Sequence, residues 1–452
     1  MNKKILFLGV GGIGVSALAI AANKLGAEVS GYDSSPNKLT KKLENLGISI
    51  SSSPSEVDVA SFDMIVYSSA IIASHPLLAE AKNLGIQCLQ RAMFLSILMK
   101  SFKYSIAITG THGKTTTSSI LATLSYKLDS SSSFVVGGVV KYADSNIQVN
   151  GSNKLIIEAD ESDASFLHLN PNSVIVTSID LDHMSTYQNS YEVLLGNFAE
   201  FINKDNVRKV YICIDDKGCR DLLSKYSFAD KNIISYGFSK NADIHIYDYY
   251  IEDLEGTNFK ISYRGQELKF TIQLPGKYNV QNAVACIANC LEFGFSYEDI
   301  RLALTEVAGV ARRFDIYNKK ISGYNVQVID DYGHHPAEIT SCLGAVRDKY
   351  PNKKIIHVFQ PHRYTRNRDL LNDWVKALSL SDLLIILPTY SAGESVIKGA
   401  ESQDIVKGVT NHIVADSFDH AIYFLEKLVD DNTVVLVQGA GDITNIVEML
   451  GE

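Results

Sequence analysis

A glycine-rich segment near residue 110 has the side chains needed to bind the phosphates of a nucleotide. An apolar run ending at Thr109 precedes it and a helical pattern over 116–126 follows it. The segment reads Gly110, Thr111, His112, Gly113, Lys114, Thr115 and Thr116. In such a loop, backbone N–H groups surround phosphate oxygens, the Lys114 ammonium can reach the terminal phosphates, and the Thr115 hydroxyl can bind Mg²⁺. The pattern therefore predicts a nucleoside triphosphate site.

Two acidic clusters follow the next strand-like runs along the chain. The first holds Glu158, Asp160, Glu161 and Asp163, and the second holds Asp180, Asp182 and His183. Mg²⁺ prefers a few hard oxygen ligands and keeps several waters. Because parallel strands end at one edge of a sheet, we expect both clusters beside the phosphate loop.

A second glycine loop lies near the N-terminus. Gly9, Gly11 and Gly14 fit the GxGxxG pattern between an apolar run and a helical pattern over 16–25. Asp33 ends the next run, as a residue that binds a ribose would. Glycines let the backbone approach a diphosphate, and the helix N-terminus supplies N–H donors. Uridine diphosphate fits as well as a nicotinamide dinucleotide, so a dehydrogenase stays open at this point.

Basic side chains are concentrated after residue 310. They are Arg312, Arg313, His334, His335, His362, Arg363, Arg366 and Arg368. Arginine binds phosphate or carboxylate in a two-pronged geometry. The histidines have neither Cys₂His₂ nor HExxH spacing, so zinc is not expected. The pattern favours an anionic ligand.

The elements that position these groups are predicted by short apolar runs separated by helical patterns. Most runs are continuous rather than alternating, which is typical of strands buried on both faces of a parallel sheet. The runs are Lys4–Leu8, Met64–Tyr67, Ser105–Thr109, Lys154–Glu158, Ser173–Thr177, Lys209–Ile214, Asn325–Asp330, Lys354–Phe359, Leu383–Leu387 and Thr433–Gln438. The expected fold class is α/β, with the polar clusters at the ligand-binding ends of the strands.

One stretch, 242–274, alternates polar and apolar residues and predicts antiparallel strands with turns at 255–258 and 264–266. Asn279 is a plausible N-cap for the helix that follows. Boundaries near 100 and 315 predict three domains, 1–100, 101–314 and 315–452.

Composition excludes several classes of protein. The 452 residues contain 42 Lys and Arg against 51 Asp and Glu, a net charge of −9, which argues against coating nucleic acid. No apolar run approaches the roughly 18 residues of a membrane span, and glycines interrupt the apolar N-terminus, so neither an anchor nor a signal peptide is expected. Six cysteines without a CxxC indicate reduced thiols and a cytoplasmic protein.

In chain order, the polar motifs resemble those of the Mur ligases, ATP-dependent amide-forming enzymes of peptidoglycan synthesis. The motifs are GVGGIGVSALA, ITGTHGKTTT, EADESDASF, SIDLDHMSTY, LPGKYNVQNA, VAGVARRFD, DDYGHHPAE, FQPHRYTR, SAGES and GAGDI. The resemblance implies a Rossmann-like UDP-binding domain, a P-loop-type central ATPase domain whose mainly parallel sheet has a small antiparallel part, and a Rossmann-like C-terminal domain. It also implies that ATP activates the carboxylate of UDP-N-acetylmuramate and that L-alanine attacks the acyl phosphate.

The same resemblance implies roles for individual residues. Lys114 would contact the β- and γ-phosphates, and Arg313 would reach them from the C-terminal linker. Metal-site residues would be Thr115, Glu158 and His183, with Glu161 the rival carboxylate. Asn279 and Asn282 resemble adenine contacts. Groups implied at the sugar–lactyl and amino-acid end are Tyr332, His334, His362, Arg363 and Arg366. Those implied at UDP and the sugar are Gly11, Gly12, Ile13, Gly14, Ser16, Asp33, Ser69 and Ala70.

Several alternatives remain. A recycling member of the family joins UDP-N-acetylmuramate to a tripeptide, although FQPHRYTR favours the use of a single amino acid. A folate-type polyglutamate ligase would lack the N-terminal UDP loop, and a dehydrogenase would leave GTHGKTTT unexplained. A nucleotide-regulated binding module would not need carboxylates and arginines gathered at the phosphates. The expected enzyme uses ATP and Mg²⁺, binds neither nucleic acid nor membrane, and is a monomer or homodimer.

Overall fold

The computed structural model describes residues 2–68, 70–151, 153–252 and 256–451. Three β-sheets with flanking helices form within these residues, which confirms the α/β class. The chain divides into two compact units, one comprising Met1–Tyr247, Lys260–Lys269 and Gln281–Val307, the other Asp248–Phe259, Phe270–Val280 and Ala308–Glu452. The predicted boundaries at 100 and 315 stay a prediction. No helix among the described residues is long and apolar enough to cross a membrane.

The first sheet carries the N-terminal glycine loop. Its elements are β1 (Lys4–Leu8), α1 (Ile13–Lys24), β2 (Glu28–Tyr32), α2 (Lys38–Asn45), β3 (Ser49–Ser51), β4 (Met64–Tyr67), α3 (Pro76–Asn83), β5 (Gln87–Gln90) and α4 (Arg91–Met99). The strand order is β3-β2-β1-β4-β5, and all pairs are parallel. Four of the five β1 residues are buried, as expected for a central strand covered on both faces.

The second sheet carries the phosphate loop. Its elements are β6 (Tyr104–Thr109), α5 (Lys114–Leu128), β7 (Ser133–Val140), β8 (Ser145–Gln148), β9 (Lys154–Glu158), β10 (Ser173–Val176), α6 (Tyr191–Ile202), β11 (Lys209–Cys213), α7 (Lys217–Lys225), β12 (Asn232–Gly237), β13 (Ile244–Glu252), β14 (Gly256–Tyr263), β15 (Gln266–Ile272), α8 (Lys277–Glu292) and α9 (Tyr297–Thr305). The order is β15-β14-β13-β12-β11-β10-β6-β9-β7-β8. Strand β6 pairs in parallel with β9 and β10, so the loop after β6 lies between the two acidic clusters.

The third sheet carries the basic motifs. Its elements are β16 (Asp315–Ile321), β17 (Tyr324–Asp331), α10 (Pro336–Lys349), β18 (Lys354–Phe359), α11 (Tyr364–Asp369), α12 (Leu371–Leu378), β19 (Leu383–Ile386), α13 (Ser402–Ile405), β20 (His412–Val414), α14 (Phe418–Leu428), β21 (Thr433–Gln438) and α15 (Asn445–Met449). The order is β16-β17-β21-β18-β19-β20, with only β16–β17 antiparallel among these described pairs. The DDYGHHP, FQPHR and GAGD motifs therefore meet at one edge.

Two local predictions are wrong. Thr257 and Asn258, predicted in a turn, lie inside β14, because Gly256 takes φ +93° and the strand begins there; Glu255 lies outside the described residues. Asn279 is not the N-cap of α8 but its third residue, because the helix starts directly after Gly276, which takes φ +96°. The predicted turn at 264–266 is confirmed in its position, with Arg264 and Gly265 joining β14 to β15.

Candidate phosphate and substrate sites

The phosphate loop is fixed against the segment that follows β10. Thr111 donates its backbone N–H to the carbonyl of Ser178 at 2.9 Å, and the backbone N–H of His112 donates to the Ser178 hydroxyl at 2.9 Å. Gly110 takes φ +132°, and a Cβ there would lie 2.7 Å from the Ser178 carbonyl oxygen. Only glycine fits this conformation and this close approach.

Lys114 starts α5 and turns its ammonium back over the loop. Its Nζ donates to the Gly110 carbonyl at 2.7 Å and lies 2.7 Å from Oε2 of Glu161. Burial by itself lowers the pKa of Lys114, but the carboxylates of Glu161 and Asp160 outweigh burial and raise it. The ammonium is therefore charged at neutral pH, in the position where terminal phosphates would be bound.

Thr115 and Glu158 are in direct contact. The Thr115 hydroxyl donates to Oε1 of Glu158 at 2.9 Å, while Oε2 accepts from the Gly137 N–H at 2.8 Å and the Ser118 hydroxyl at 3.3 Å. A hydroxyl and a carboxylate are hard oxygen donors of the type that Mg²⁺ prefers. Since Glu161 is engaged by Lys114, the arrangement favours Glu158 as the metal carboxylate.

The second acidic cluster contacts the loop mainly through Asp180. Its backbone N–H donates to the Thr111 hydroxyl at 2.8 Å, and its Oδ2 lies 3.3 Å from Nε2 of His112. His183 takes φ +53°, and its Nε2 lies 3.5 Å from Oδ2 of Asp182. The structure thus pairs Thr115 with Glu158, and His183 with Asp182.

The two predicted adenine contacts lie on α8. Asn282 is 6% exposed, and its Oδ1 would be 2.8 Å from a Cβ on Gly113. This places the Asn282 amide against the phosphate loop within the first unit. In the second unit, Asn279 is 2% exposed and donates from Nδ2 to the Pro275 carbonyl at 2.7 Å.

The N-terminal glycine loop is braced by the residues that follow β2. Oδ2 of Asp33 accepts the Gly11 N–H at 2.7 Å, and Nδ2 of Asn37 donates to the Gly11 carbonyl at 3.0 Å. Asp33 therefore holds the loop in shape, a role that the ribose prediction did not include. The Ser16 hydroxyl donates to the Ile13 carbonyl at 3.1 Å within α1.

The predicted sugar-side pair after β4 is only partly described. The backbone N–H of Ala70 donates to the Ser68 hydroxyl at 3.3 Å. Ser69 lies outside the described residues.

A row of four rings lines the edge of the third sheet. The ring centroids of Tyr332 and His334 are 5.4 Å apart, those of His334 and His362 are 5.4 Å apart, and His362 stacks on Tyr390 at 5.5 Å. Burial lowers the pKa of His334 to about 3 and the pKa of His362 to about 4. Both imidazoles are therefore neutral at pH 7.

The neighbouring arginines have different tasks. Arg312 donates from Nη2 to the carbonyls of Gly439 at 2.7 Å and Gly441 at 3.2 Å, so it fixes the loop after β21. Arg313 lies over the Tyr332 ring at 5.0 Å. Its Nη1 lies 3.8 Å from Oε1 of Glu338.

Arg363 and Arg366 are held at the other end of the row. Arg363 takes φ +73° and donates its N–H to the Tyr390 carbonyl at 2.9 Å. Arg366 is 8% exposed, with Nη1 3.4 Å from Nδ1 of His362. The edge therefore combines cationic groups with neutral imidazoles, which suits a carboxylate ligand.

The sequence interpretation missed several contributors. Ser178 anchors the phosphate loop, Tyr390 completes the row of rings, and Arg91 approaches the N-terminal glycine loop. Tyr390 lies in the loop that follows β19, so the rule that ligands bind beyond strand ends could have found it. Arg91 follows β5 directly and therefore carries the same signal, but the run Gln87–Gln90 was not among the predicted strands.

Three family models match successive parts of the chain. Residues 4–103 match the family described as Mur ligase family, catalytic domain; residues 108–290 match Mur ligase middle domain; residues 312–441 match Mur ligase, glutamate ligase domain. The chain is 72% identical over 452 residues, 100% of both chains, to UDP-N-acetylmuramate--L-alanine ligase of Francisella tularensis subsp. novicida (strain U112).

Two solved structures have the same fold as this chain. UDP-N-acetylmuramate-alanine ligase of Thermotoga maritima has a TM-score of 0.80 at 28% identity, covering 99% of this chain and 98% of that chain. A murein peptide ligase of Psychrobacter arcticus has a TM-score of 0.69 at 20% identity with the same coverage, a likeness that shows the fold alone. The predicted resemblance is confirmed, and the chain belongs to the Mur ligase family.

Proposed function

We propose that the chain joins L-alanine to UDP-N-acetylmuramate and converts ATP to ADP and phosphate. The observation that carries this is 72% identity, over the full length of both chains, to a relative named for that ligation. The phosphate loop with its charged Lys114 supports the ATP-dependent half of the reaction. The recycling ligase that uses a tripeptide is the alternative.

The reaction needs two successive nucleophilic substitutions. A carboxylate oxygen of the muramyl group attacks the γ-phosphorus, and the bond from that phosphorus to the ADP oxygen breaks. The amine nitrogen of L-alanine then attacks the acyl carbon, the carbon–oxygen bond to phosphate breaks, and the nitrogen loses its proton. The first step brings an anion to a triphosphate, so cations must offset the repulsion.

Lys114 supplies one such cation, and Arg313 is proposed to supply another. The Lys114 ammonium already lies at the loop, where it would contact the β- and γ-phosphates. ATP is further held by the loop residues 110–116, with Asn279 and Asn282 at the adenine.

The residues present fit a divalent metal. Thr115 and Glu158 offer hard oxygen donors in mutual contact, and we place Mg²⁺ with them and with His183. When bound, the metal neutralises charge on the phosphate oxygens.

The remaining assignments concern the other substrates. We place the UDP-sugar at the loop Gly11, Gly12, Ile13, Gly14 and Ser16, with Asp33 bracing that loop and Ala70 and Ser69 at the sugar. The muramyl carboxylate and the amino acid are placed at Tyr332, His334, His362, Arg363 and Arg366. The domains 1–100, 101–314 and 315–452 would then serve UDP binding, ATP binding and amino-acid binding.

The described cysteines are all free, which fits a reducing compartment such as the cytoplasm. Neither nucleic acid nor a membrane is proposed as a partner, and the enzyme is proposed to be a monomer or a homodimer.

An isotope experiment tests the proposed route. UDP-N-acetylmuramate labelled with oxygen-18 in its carboxylate is incubated with ATP, Mg²⁺ and L-alanine, and the released phosphate is analysed by mass spectrometry. An acyl phosphate transfers one labelled oxygen to each phosphate, and the product gains the mass of one alanine residue. Unlabelled phosphate from the labelled substrate would contradict the route, and an unlabelled substrate serves as the control.

A further inference from the structure

Arg91 lies between the N-terminal glycine loop and the acidic loop beside Lys114. A Cβ built on Gly14 would be 3.1 Å from Cδ and 3.2 Å from Nη1 of Arg91, so the guanidinium lies against the backbone at the start of α1. On its other side, Nη2 of Arg91 is 3.8 Å from Oδ2 of Asp160. All of these residues belong to the first unit.

This position is electrostatically unfavourable for a cation alone. Arg91 is the first residue of α4 and lies against the first turn of α1, so it faces the positive ends of two helix dipoles. Neither helix has an acidic residue in its first turn. Asp160 is the carboxylate that offsets the charge, and its side chain is 38% exposed at a separation longer than a hydrogen bond.

The Asp160 carboxylate has a second partner. Its Oδ1 accepts the Ser162 N–H at 3.1 Å. Because Asp160 does not depend on Arg91 alone, Arg91 can leave it for a stronger anion at the glycine loop.

We propose that Arg91 binds the diphosphate of the UDP-linked substrate and that Asp160 competes with this diphosphate for the guanidinium. The inference rests on the proposed function, which places UDP at the glycine loop. Gly14 leaves the space through which the arginine approaches that loop. A guanidinium can bind two phosphate oxygens at once. The Arg91 guanidinium, by contrast, approaches Asp160 through one pair of atoms, Nη2 and Oδ2, which are 3.8 Å apart.

Calorimetric titration with UDP and with uridine, without ATP or Mg²⁺, separates diphosphate binding from base and ribose binding. The variants are Arg91→Ala, Arg91→Lys, Asp160→Asn and the double variant Arg91→Ala with Asp160→Asn. Lys42→Ala is the matched control for the loss of a cation. Lys42 also lies in the first unit and also bridges two distant segments, by donating to the Asp144 carbonyl. Asp163→Asn is the control for the acidic loop, because Asp163 caps the Ser165 N–H.

We expect Arg91→Ala to weaken UDP binding roughly 10- to 100-fold, the range for one charge-assisted hydrogen bond or a pair of them. Uridine binding should not change, and Arg91→Lys should fall between Arg91→Ala and wild type. Asp160→Asn should tighten UDP binding a few-fold, but only when Arg91 is present. Both control variants should bind UDP like the wild type.

Two results would overturn the inference. Wild-type affinity for UDP in Arg91→Ala would remove the arginine from the diphosphate. Equal weakening by Arg91→Ala and Asp160→Asn would show that the pair only stabilises the loop. Failure of the proposed function would give a different result from failure of this inference. The wild-type enzyme itself would then neither bind UDP-N-acetylmuramate nor release phosphate in the presence of that substrate and L-alanine.

Discussion

Lys114 and Glu161 form an ion pair of 2.7 Å in which the carboxylate side chain is 3% exposed and the lysine side chain 14%. The pair holds the ammonium over the phosphate loop, where it also bonds the Gly110 carbonyl. Burying a charged group costs less free energy when an opposite charge lies beside it. The lysine is therefore charged and positioned in the absence of a phosphate. Triphosphate oxygens can then take the place of the carboxylate as its main partner.

The first prediction concerns this lysine. Lys114→Ala should lower turnover by at least about 100-fold, because the γ-phosphoryl group loses a cation during transfer. Turnover is measured as phosphate release, and circular dichroism checks the fold. Lys127→Ala is the control, since Lys127 lies on the same helix and pairs with Glu306 away from the loop. Wild-type turnover in Lys114→Ala would remove the lysine from catalysis.

A second prediction separates the two candidate metal carboxylates. Glu158→Gln should raise the Mg²⁺ concentration that gives half-maximal turnover more than Glu161→Gln does, because Glu158 contacts Thr115 while Glu161 pairs with Lys114. Glu161→Gln should mainly change the KM for ATP. A larger Mg²⁺ requirement in Glu161→Gln would reverse the assignment.

Arg363 carries the third prediction. Arg363→Ala should raise the KM for UDP-N-acetylmuramate more than the KM for ATP, because the residue lies beside the row of rings at the third sheet and bonds Tyr390. Arg368→Ala should change neither constant, since Arg368 lies in α11, the helix that begins after Arg363, but pairs with the exposed Asp369. Equal increases in both constants for Arg363→Ala would contradict its role.

The fourth prediction compares two glycines with positive φ. Gly110→Ala should weaken ATP binding and lower the melting temperature more than Gly85→Ala, because the new Cβ would meet the Ser178 backbone. Gly85 takes φ +72° with open space around it, so its substitution costs only the conformational strain, about 1 kcal/mol. Similar effects of the two substitutions would show that close packing at Gly110 is unimportant.

Stability should depend on pH through His357, which is fully buried in β18. Burial lowers its pKa to about 3, from 6.5 in an unfolded chain. The unfolded state therefore binds more protons between these values, and stability falls as the pH decreases below 6.5. This group should lower the free energy of unfolding by about 2 kcal/mol between pH 7 and pH 5.

Urea unfolding at the two pH values measures this effect. His357→Leu should lose that part of the pH dependence, while the exposed His412→Leu should keep it. An unchanged pH dependence in His357→Leu would contradict the assignment.

Much of the fold could be predicted because parallel strands are continuous apolar runs. Lys4–Leu8 and Lys354–Phe359 form strands with the predicted bounds. The local errors at Thr257 and Asn279 arose where a glycine with positive φ, rather than the polar residue, decides where an element begins. The turn propensities of single residues do not show which of several turn-forming residues takes the positive-φ conformation.

The site was predictable where one motif contains both the ligand groups and the strand that positions them. Lys114 and Thr115 start α5 after the short loop that follows β6, and Glu158 ends β9. The Glu161 pair, the bracing by Asp33 and the approach of Arg91 depend on contacts distant in sequence. Such contacts follow from strand order, which single residues do not encode.

The most direct test of the central claim is phosphate release from ATP in Mg²⁺ with UDP-N-acetylmuramate and either L-alanine or the tripeptide. The account predicts release with L-alanine and a product one alanine residue heavier. Release with the tripeptide alone would move the enzyme to recycling. Release with neither would contradict the proposed ligation.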